Sequence, residues 1–248
     1  MHDVRTPADP QPPLVWLDEV DSTNTYARRL FDTLPHGAAV VAERQQAGMG
    51  RGGRRWHSPP GGNVYMTVVA RPPVVHERNV GGITLSMALA VCDVLDAWEV
   101  AGAVKWPNDV RVGRQKIAGI LAQAVHTRHS LAGVVVGVGI NANMGRHELE
   151  RIDQPATSLS VLTGRPVDAS RIARSVAARF LQRLATYDPV FVRAEALRRA
   201  DYLGQAVTVS TPQGEVTGQA VDLDDSFRLV IEDGRGVRHV VQAGDIRC

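Results

Sequence analysis

Residues 48–63 read "GMGRGGRRWHSPPGGN", with six glycines, three arginines and two prolines in one run. Neither a helix nor a strand interior accommodates that mixture, because glycine costs backbone entropy and proline removes a donor. The run follows a short apolar stretch, "AAVVAE" at 38–43, and meets "NVYMTVVA" at 63–70, which is rich in β-branched and aromatic residues. Both flanks read as strands, so the run is a loop between strands. That placement decides against two nucleotide-binding folds. No G-x-x-x-x-G-K-[ST] is present, and a G-x-G-x-x-G fingerprint has to open a helix. Two readings remain: a flexible loop whose bare amides and guanidinium groups wrap an anionic ligand, or a surface loop with solvated charge.

Working outward, "PLVWLDEV" at 13–20 reads as a first strand, and "DSTNTYARRLFDTL" at 21–34 as a helix opened by capping residues. "GITLSMALAVCDVLDAWEV" at 82–100 is a long helix with Met87, Ala88, Val91, Val94, Leu95 and Trp98 on one apolar face. "AVKWPNDVRVGRQKIAGILAQAV" at 103–125 alternates strand segments around a "VGRQ" turn, and "LAGVVVGVGINAN" at 131–143 is a buried strand. "DASRIARSVAARFLQRLATY" at 168–187 is a second long helix, capped by Asp168 and apolar at Ile172, Val176, Phe180 and Leu184. From about residue 201 the pattern changes to short strands separated by "TPQG", "DDS" and "DGRG". The division is therefore a tail over 1–13, an α/β (α+β) domain with a mixed sheet and flanking helices over 14–200, and a small β-barrel over 201–248.

Composition narrows the function. A chain of 248 residues with 44% hydrophobic and 22% charged residues is an ordinary globular balance. A net charge of +2 does not argue for a general nucleic-acid binder. Cys92 and Cys248 stand far apart and the eight histidines form no H-E-x-x-H, which points to a reducing compartment without a disulfide framework or zinc site. No apolar run approaches the ~20 residues of a membrane span. The start, "MHDVRTPADPQPP", is unlike a secretory signal, and the expected location is cytoplasmic. Of 28 basic residues, 26 are arginine; the two lysines are Lys105 and Lys116. Two lysines within twelve positions of an arginine-biased chain are either coincidence or a place where a compact ammonium is needed.

Two further stretches carry chemistry. In "KWPNDV" at 105–110, Pro107 stops strand pairing and holds Lys105, Asn108 and Asp109 at a strand end. This suits phosphate charge plus a metal or hydroxyl, or else an ordinary surface turn. In "VVVGVGINAN", Gly137 and Gly139 imply close approach by a ligand or by another piece of backbone.

Taken together, "DSTN" at 21–24, "ERQQAGMGRGGRRWHSPPGGN" at 43–63, "KWPND" at 105–109, "KIAGIL" at 116–121 and "GVGIN" at 137–141 resemble the motifs of the biotin protein ligases, in family order and at family-like separations. The resemblance implies a class II synthetase-like biotin/lipoate ligase domain followed by an SH3-like barrel. It implies an enzyme that uses ATP and Mg²⁺ to activate biotin as biotinyl-5′-AMP, then transfers biotin to a lysine of a biotin carboxyl carrier protein domain.

By the same resemblance, Ser22, Thr23, Asn24 and Gln45 meet the ureido ring of biotin. Gly48, Met49, Gly50 and Arg51 lie over the biotin and its adenylate, and Gly137 and Gly139 let the backbone reach the biotin rings. Arg51, Arg54 and Lys105 are the catalytic cations facing phosphate, with Lys105 and Arg51 also beside biotin. Trp56 flanks adenine, and Asn108, Asp109 and Asn141 serve ATP, with Asp109 the candidate beside magnesium. Lys116 stands in a family motif without an assigned contact. The family's loop reads G-R-G-R-x-G-R, and here Met49 takes the first arginine's place. The loop is expected to order over the ligands and exclude water from the mixed anhydride. Some relatives carry an N-terminal helix-turn-helix; about 13 residues precede the first strand here, so no repressor activity is expected, and the low net charge and the lack of a long apolar run add the expectation of no nucleic-acid partner and no membrane partner. A weak homodimer is left open. The alternatives weighed are a lipoate or octanoate transferase or ligase, and a non-catalytic biotin sensor.

Overall fold

The computed structural model describes residues 13–76, 79–128, 130–211 and 214–247. Its first sheet has seven strands: β1 Leu14–Val20, β2 Ala39–Gln45, β3 Val64–Ala70, β4 Ala103–Lys105, β5 Asp109–Val112, β6 Gln115–His126 and β7 Leu131–Ile140. Their spatial order is β1-β2-β3-β7-β6-β5-β4. β1 and β2 run parallel, joined through helix α1, Thr23–Arg29, while the other neighbours are antiparallel. The mixed sheet expected from the sequence is thereby present.

Strand alternation sorts the two faces of this sheet. Val64, Met66, Val68 and Ala70 of β3, with Val134, Val136, Val138 and Ile140 of β7, point into the main core. Helices α2, Val80–Asp96, and α5, Ala169–Ala185, cover that face. On the opposite face, Val69 and Val135 pack with Ala27 and Phe31 under α1. The rest of that second face, around Thr67, Gly119, Gly137 and Gly139, is where α1 leaves the sheet open.

The helices follow the sequence pattern. Asp168 accepts from Ser170 N at 2.9 Å and Arg171 N at 3.1 Å, and Ile172, Val176, Phe180 and Leu184 are buried. Met87, Ala88, Val91, Val94 and Leu95 are buried on α2, while Trp98 lies beyond the helix end at Asp96. α1 stops at Arg29, earlier than the expected 34, and the chain continues in turns. Short helices α3, Arg146–Leu149, and α4, Leu159–Thr163, lie in the connection after β7. Helix α6, Pro189–Arg198, was not foreseen; Asp188 caps it and Pro189 occupies its first turn.

A second sheet is formed by β8 Ala206–Thr211, β9 Gly214–Leu223, β10 Leu229–Glu232, β11 Arg238–Val241 and β12 Asp245–Arg247. Its order is β11-β10-β9-β8-β12, antiparallel throughout. Phe227, in the turn between β9 and β10, is pinned to the larger sheet: the Trp106 indole N–H donates to its carbonyl at 3.0 Å. Its ring fills a notch at Gly82, where a β-carbon would stand 2.6 Å from the ring and 2.1 Å from Tyr187 Oη. The tail expected over 1–13 lies outside the described residues, Pro13 apart, as does Cys248. No helix among the described residues is long and apolar enough to cross a membrane.

Candidate active site

The open part of the second face is a cavity of about 450 Å³. Its floor is glycine backbone of β6 and β7. Register sets Gly119 of β6 beside Gly139 of β7, and Thr67 of β3 beside Gly137. The Trp56 indole rests on that floor: a β-carbon at Gly139 would lie 2.3 Å from Trp56 Cε2, and one at Gly119 would lie 2.8 Å from Cζ3. At Gly137 the close neighbour is Asn24, whose Oδ1 would be 2.1 Å from a β-carbon. The glycines thus serve a close approach, but the groups that approach are the side chains of Asn24 and Trp56 rather than the ligand or second backbone that their spacing implied.

One end of the cavity is polar and neutral. Thr23 donates to Gln45 Oε1 through its N–H at 2.9 Å and its hydroxyl at 3.2 Å, and Gln45 Nε2 donates to Ser58 Oγ at 2.9 Å. Asn24 Nδ2 donates to Leu121 O and Gln123 Oε1, both at 3.1 Å. Thr67, fully buried, donates to Asn24 Oδ1 at 2.6 Å and lies 2.8 Å from the Thr23 hydroxyl. These side chains fix one another before any ligand arrives, which is preorganised polar recognition. Ser22, at the N-cap of α1, makes no capping bond.

The other end is cationic. Lys116 Nζ lies 2.8 Å from Asp109 Oδ1 and 5.3 Å from the centre of the Trp56 ring. The Lys116–Asp109 contact is an ion pair. The segment 155–157 flanks it, with Lys116 N donating to Pro155 O and Thr157 N to Lys116 O, each at 2.9 Å. Arg51 Nη1 donates to Asn108 Oδ1 at 2.9 Å, and Asn108 Nδ2 donates to Ile120 O at 2.8 Å. Burial pushes the Arg51 pKa down, and Asp245 and Asp109 pull against it. Arg51 remains charged. The hydrogen bonds of its guanidinium go to neutral acceptors, the Asn108 amide and the Gly244 carbonyl, with carboxylates acting only through their field, so an incoming anion relieves the cost of its burial.

The glycine–arginine loop forms a small hairpin over this end. Met49 bridges Arg55, Trp56 N donates to Gly48 O at 2.9 Å, and Gly50 N donates to Arg54 O at 2.7 Å. Gly52 and Gly53 take φ of +63° and +76° at its tip, a conformation that favours glycine. Met49, in the place of the family's arginine, is 38% exposed, so its role in the hairpin is carried by backbone.

Ser22, Thr23, Asn24 and Gln45 line the cavity together with Met49, Gly50, Arg51, Arg54 and Trp56. Asn108, Asp109, Gly137, Gly139 and Asn141 line it as well. Two residues named from the sequence do not. Gly48 is packed against Trp56 O and Ser58 Oγ, where a β-carbon would meet both at 2.6 Å. Lys105 ends β4, opposite Asp109, and is not among the residues lining the cavity, whereas Lys116 is; the Lys105 charge still acts on Asp245 together with Arg51 and Arg54. Asn141 is partly spent on structure, donating from Nδ2 to Thr157 O at 3.0 Å. Thr67, Gly119 and Gln123 were missed; a lone threonine in a valine-rich buried strand was the available signal.

The sequence profile of the biotin/lipoate A/B protein ligase family matches residues 16–141, half of the chain. The chain belongs to this family. Residues 202–247 match the C-terminal domain of biotin protein ligases. As a member of the biotin/lipoate A/B ligases, the chain is 32% identical to a biotin–[acetyl-CoA-carboxylase] ligase of Paracoccus denitrificans, over 93% of its own length and 98% of the relative's. It is 30% identical to the bifunctional ligase/repressor BirA of Bacillus subtilis, over 93% of its own length and 72% of the relative's. In three dimensions it is similar to a biotin protein ligase from Aquifex aeolicus solved with biotin and ATP, with a TM-score of 0.82, 29% identity and coverage of 95% and 97% of the two chains. Among the described residues no cluster of three or more histidine, cysteine or acidic side chains is placed to cage a metal. Asp109 and Asp153 are the carboxylates on this ligase cavity's wall. That donor set fits magnesium bound chiefly by nucleotide phosphates, with one or two protein carboxylates beside it.

Proposed function

We propose that this biotin/lipoate family ligase joins biotin to a lysine of a biotin carboxyl carrier protein domain through biotinyl-5′-AMP, with residues 14–200 as the catalytic unit and 201–248 as its small β partner. The observation that carries the reading is a single cavity with a fixed neutral polar cluster at one end and cations at the other, joined by a glycine floor. A ureido ring is neutral and needs donors and acceptors; the second Gln45 amide hydrogen and the Ser22 hydroxyl are available to it. A carboxylate and a triphosphate are both anions and repel each other until cations lie between them.

In the reaction proposed, a carboxylate oxygen of biotin forms a bond to the α-phosphorus of ATP, and the bond from that phosphorus to the bridging oxygen breaks, releasing pyrophosphate. Lys116 and Arg51 stabilise the charge on the phosphoryl oxygens. Lys116 takes this part because its ammonium reaches the cavity; Lys105 acts on the same region through its field. Asn108 orients Arg51, and Trp56 offers a flat wall beside the cations for the adenine. Asp109 would be the carboxylate beside a magnesium ion accompanying the nucleotide, and that ion would supply further charge neutralisation. The hairpin over Arg51 excludes water from the mixed anhydride. The carrier's neutral lysine amine then attacks the acyl carbon, AMP leaves, and the amine gives up a proton.

Biotin-dependent exchange of pyrophosphate into ATP tests this reading. Exchange that requires biotin supports it, and exchange driven equally by lipoate or octanoate, or absent with biotin, overturns it. Labelled biotin appearing on a purified carrier domain tests the second half. The expectation of no nucleic-acid partner is tested by filter binding to duplex DNA at low salt.

A further inference from the structure

The cations assigned to phosphate already have an anion among them. Asp245, the first residue of β12, sets both carboxylate oxygens on Arg54, each 3.0 Å from a guanidinium nitrogen. The residue before it, Gly244, turns its carbonyl to Arg51 Nη2 at 3.4 Å. Paired contacts of a carboxylate on a guanidinium follow the geometry a phosphate uses on the same group. Burial pushes the Asp245 carboxyl up, but the Arg54 hydrogen bond and the charges of Arg54, Arg51 and Lys105 outweigh it and hold it below the usual carboxylate value. The carboxylate is therefore charged at neutral pH and feels all three cations. It is also presented rigidly. Asp245 pairs with Ser210 of β8, and Gly244 is pressed so close that a β-carbon there would lie 2.4 Å from Val209 Cγ1.

We propose that Asp245 is a built-in stand-in for nucleotide phosphate: it latches the glycine–arginine hairpin to the small sheet and surrenders Arg54 to the triphosphate, so that it sets the apparent affinity for ATP. The proposal rests on the reading of the cavity as an ATP site. Arg54 and Asp245 side chains are 59% and 57% exposed. An ion pair that open is weak and salt-screened, so a polyphosphate displaces it without large cost. Asp245 is thus a positioning residue that competes with substrate, and removing its charge favours ATP.

The test uses the full-length enzyme as wild type, Asp245→Asn and Asp245→Glu, with matched thermal midpoints as the check on folding. Pyrophosphate exchange gives KM for ATP and for biotin, and trypsin cleavage after Arg54 and Arg55 without ligand reports on the latch. Asp245→Asn is expected to lower KM for ATP about two- to fivefold, the effect of one exposed ion pair. The KM for biotin stays within twofold, and the loop is cut faster. Asp245→Glu restores wild-type behaviour, and added salt erases the difference between the variants. A KM for ATP that rises or does not change in Asp245→Asn, or an unchanged cleavage rate, overturns the latch alone. Failure of the wild type to exchange pyrophosphate overturns the ATP reading beneath it.

Discussion

Replacing Thr67 by valine tests the polar end of the cavity with almost no change in volume. The hydroxyl of Thr67 donates to Asn24 Oδ1 at 2.6 Å and touches the Thr23 hydroxyl at 2.8 Å, and Thr67 itself is 0% exposed. Valine removes both contacts. Asn24, 4% exposed, keeps its Nδ2 bonds to Leu121 O and Gln123 Oε1, so it stays in place with Oδ1 deprived of its donor. An unsatisfied buried acceptor costs about 1–3 kcal/mol. For a chain of this size each kcal/mol moves the thermal midpoint by about 2–4 °C, so the midpoint falls by roughly 2–12 °C. The Thr23–Asn24–Gln45 cluster loses its common anchor, and biotin affinity falls by about fivefold or more, since 1 kcal/mol is about a fivefold change. Calorimetric titration with biotin and a thermal melt measure the two effects. The KM for ATP stays within twofold, because Thr67 does not touch Arg51 or Lys116. A variant with wild-type melting and biotin affinity within twofold refutes the claim that this cluster is the preorganised biotin end.

Gly139→Ala places a methyl 2.3 Å from Trp56 Cε2 and forces the indole off the floor; overpacking of about 1–3 kcal/mol is expected, with a raised KM for ATP, measured by melting and pyrophosphate exchange. Glu195 accepts from Arg183 at 2.7 and 2.9 Å, and Arg183 holds the Glu195 carboxyl below its usual value. A depressed folded-state pKa contributes stability above the unfolded value of about 4.3 and loses it as pH falls through the folded value. Glu195→Gln should therefore lower the melting temperature at pH 7 and shrink the drop between pH 7 and pH 3; an unchanged drop counts against the linkage. Asn108→Ala frees Arg51 from its brace and is expected to impair adenylation more than biotin binding, read from exchange rates beside calorimetry.

What the sequence made legible was local. Asp168 and the Ile172–Val176–Phe180–Leu184 stripe marked α5, and the glycine–arginine run was placed between β2 and β3 as expected. The motif residues converge because "DSTN" and "QQAGMGR" hang from adjacent strands β1 and β2, while "KWPND", "KIAGIL" and "GVGIN" lie on β4 to β7. Less legible was anything set by register or by distant pairing. Lys116 reaches the cavity through a register shift at Val110 and Arg111 and the crossing of segment 155–157, and neither leaves a mark in "KIAGIL" itself. Thr67 carries no period that separates it from the valines around it. Asp245 meets Arg54 across 191 positions, a contact that only the docking of the second sheet creates. Helix α6 had a signal, the Asp188–Pro189 start, but exposed Val190 and Phe191 broke the apolar stripe that would have supported it.

The central claim is that biotin is activated in this cavity with the Lys116 ammonium on the phosphate. Biotin-dependent pyrophosphate exchange by Lys116→Ala and Lys105→Ala, measured side by side at saturating biotin, tests it most directly. Loss of a preorganised charged donor from a reacting phosphate costs about 10²–10³ in rate, and that loss is predicted for Lys116→Ala, with a smaller one for Lys105→Ala. Exchange by Lys116→Ala within twofold of wild type, or a larger loss in Lys105→Ala, contradicts it.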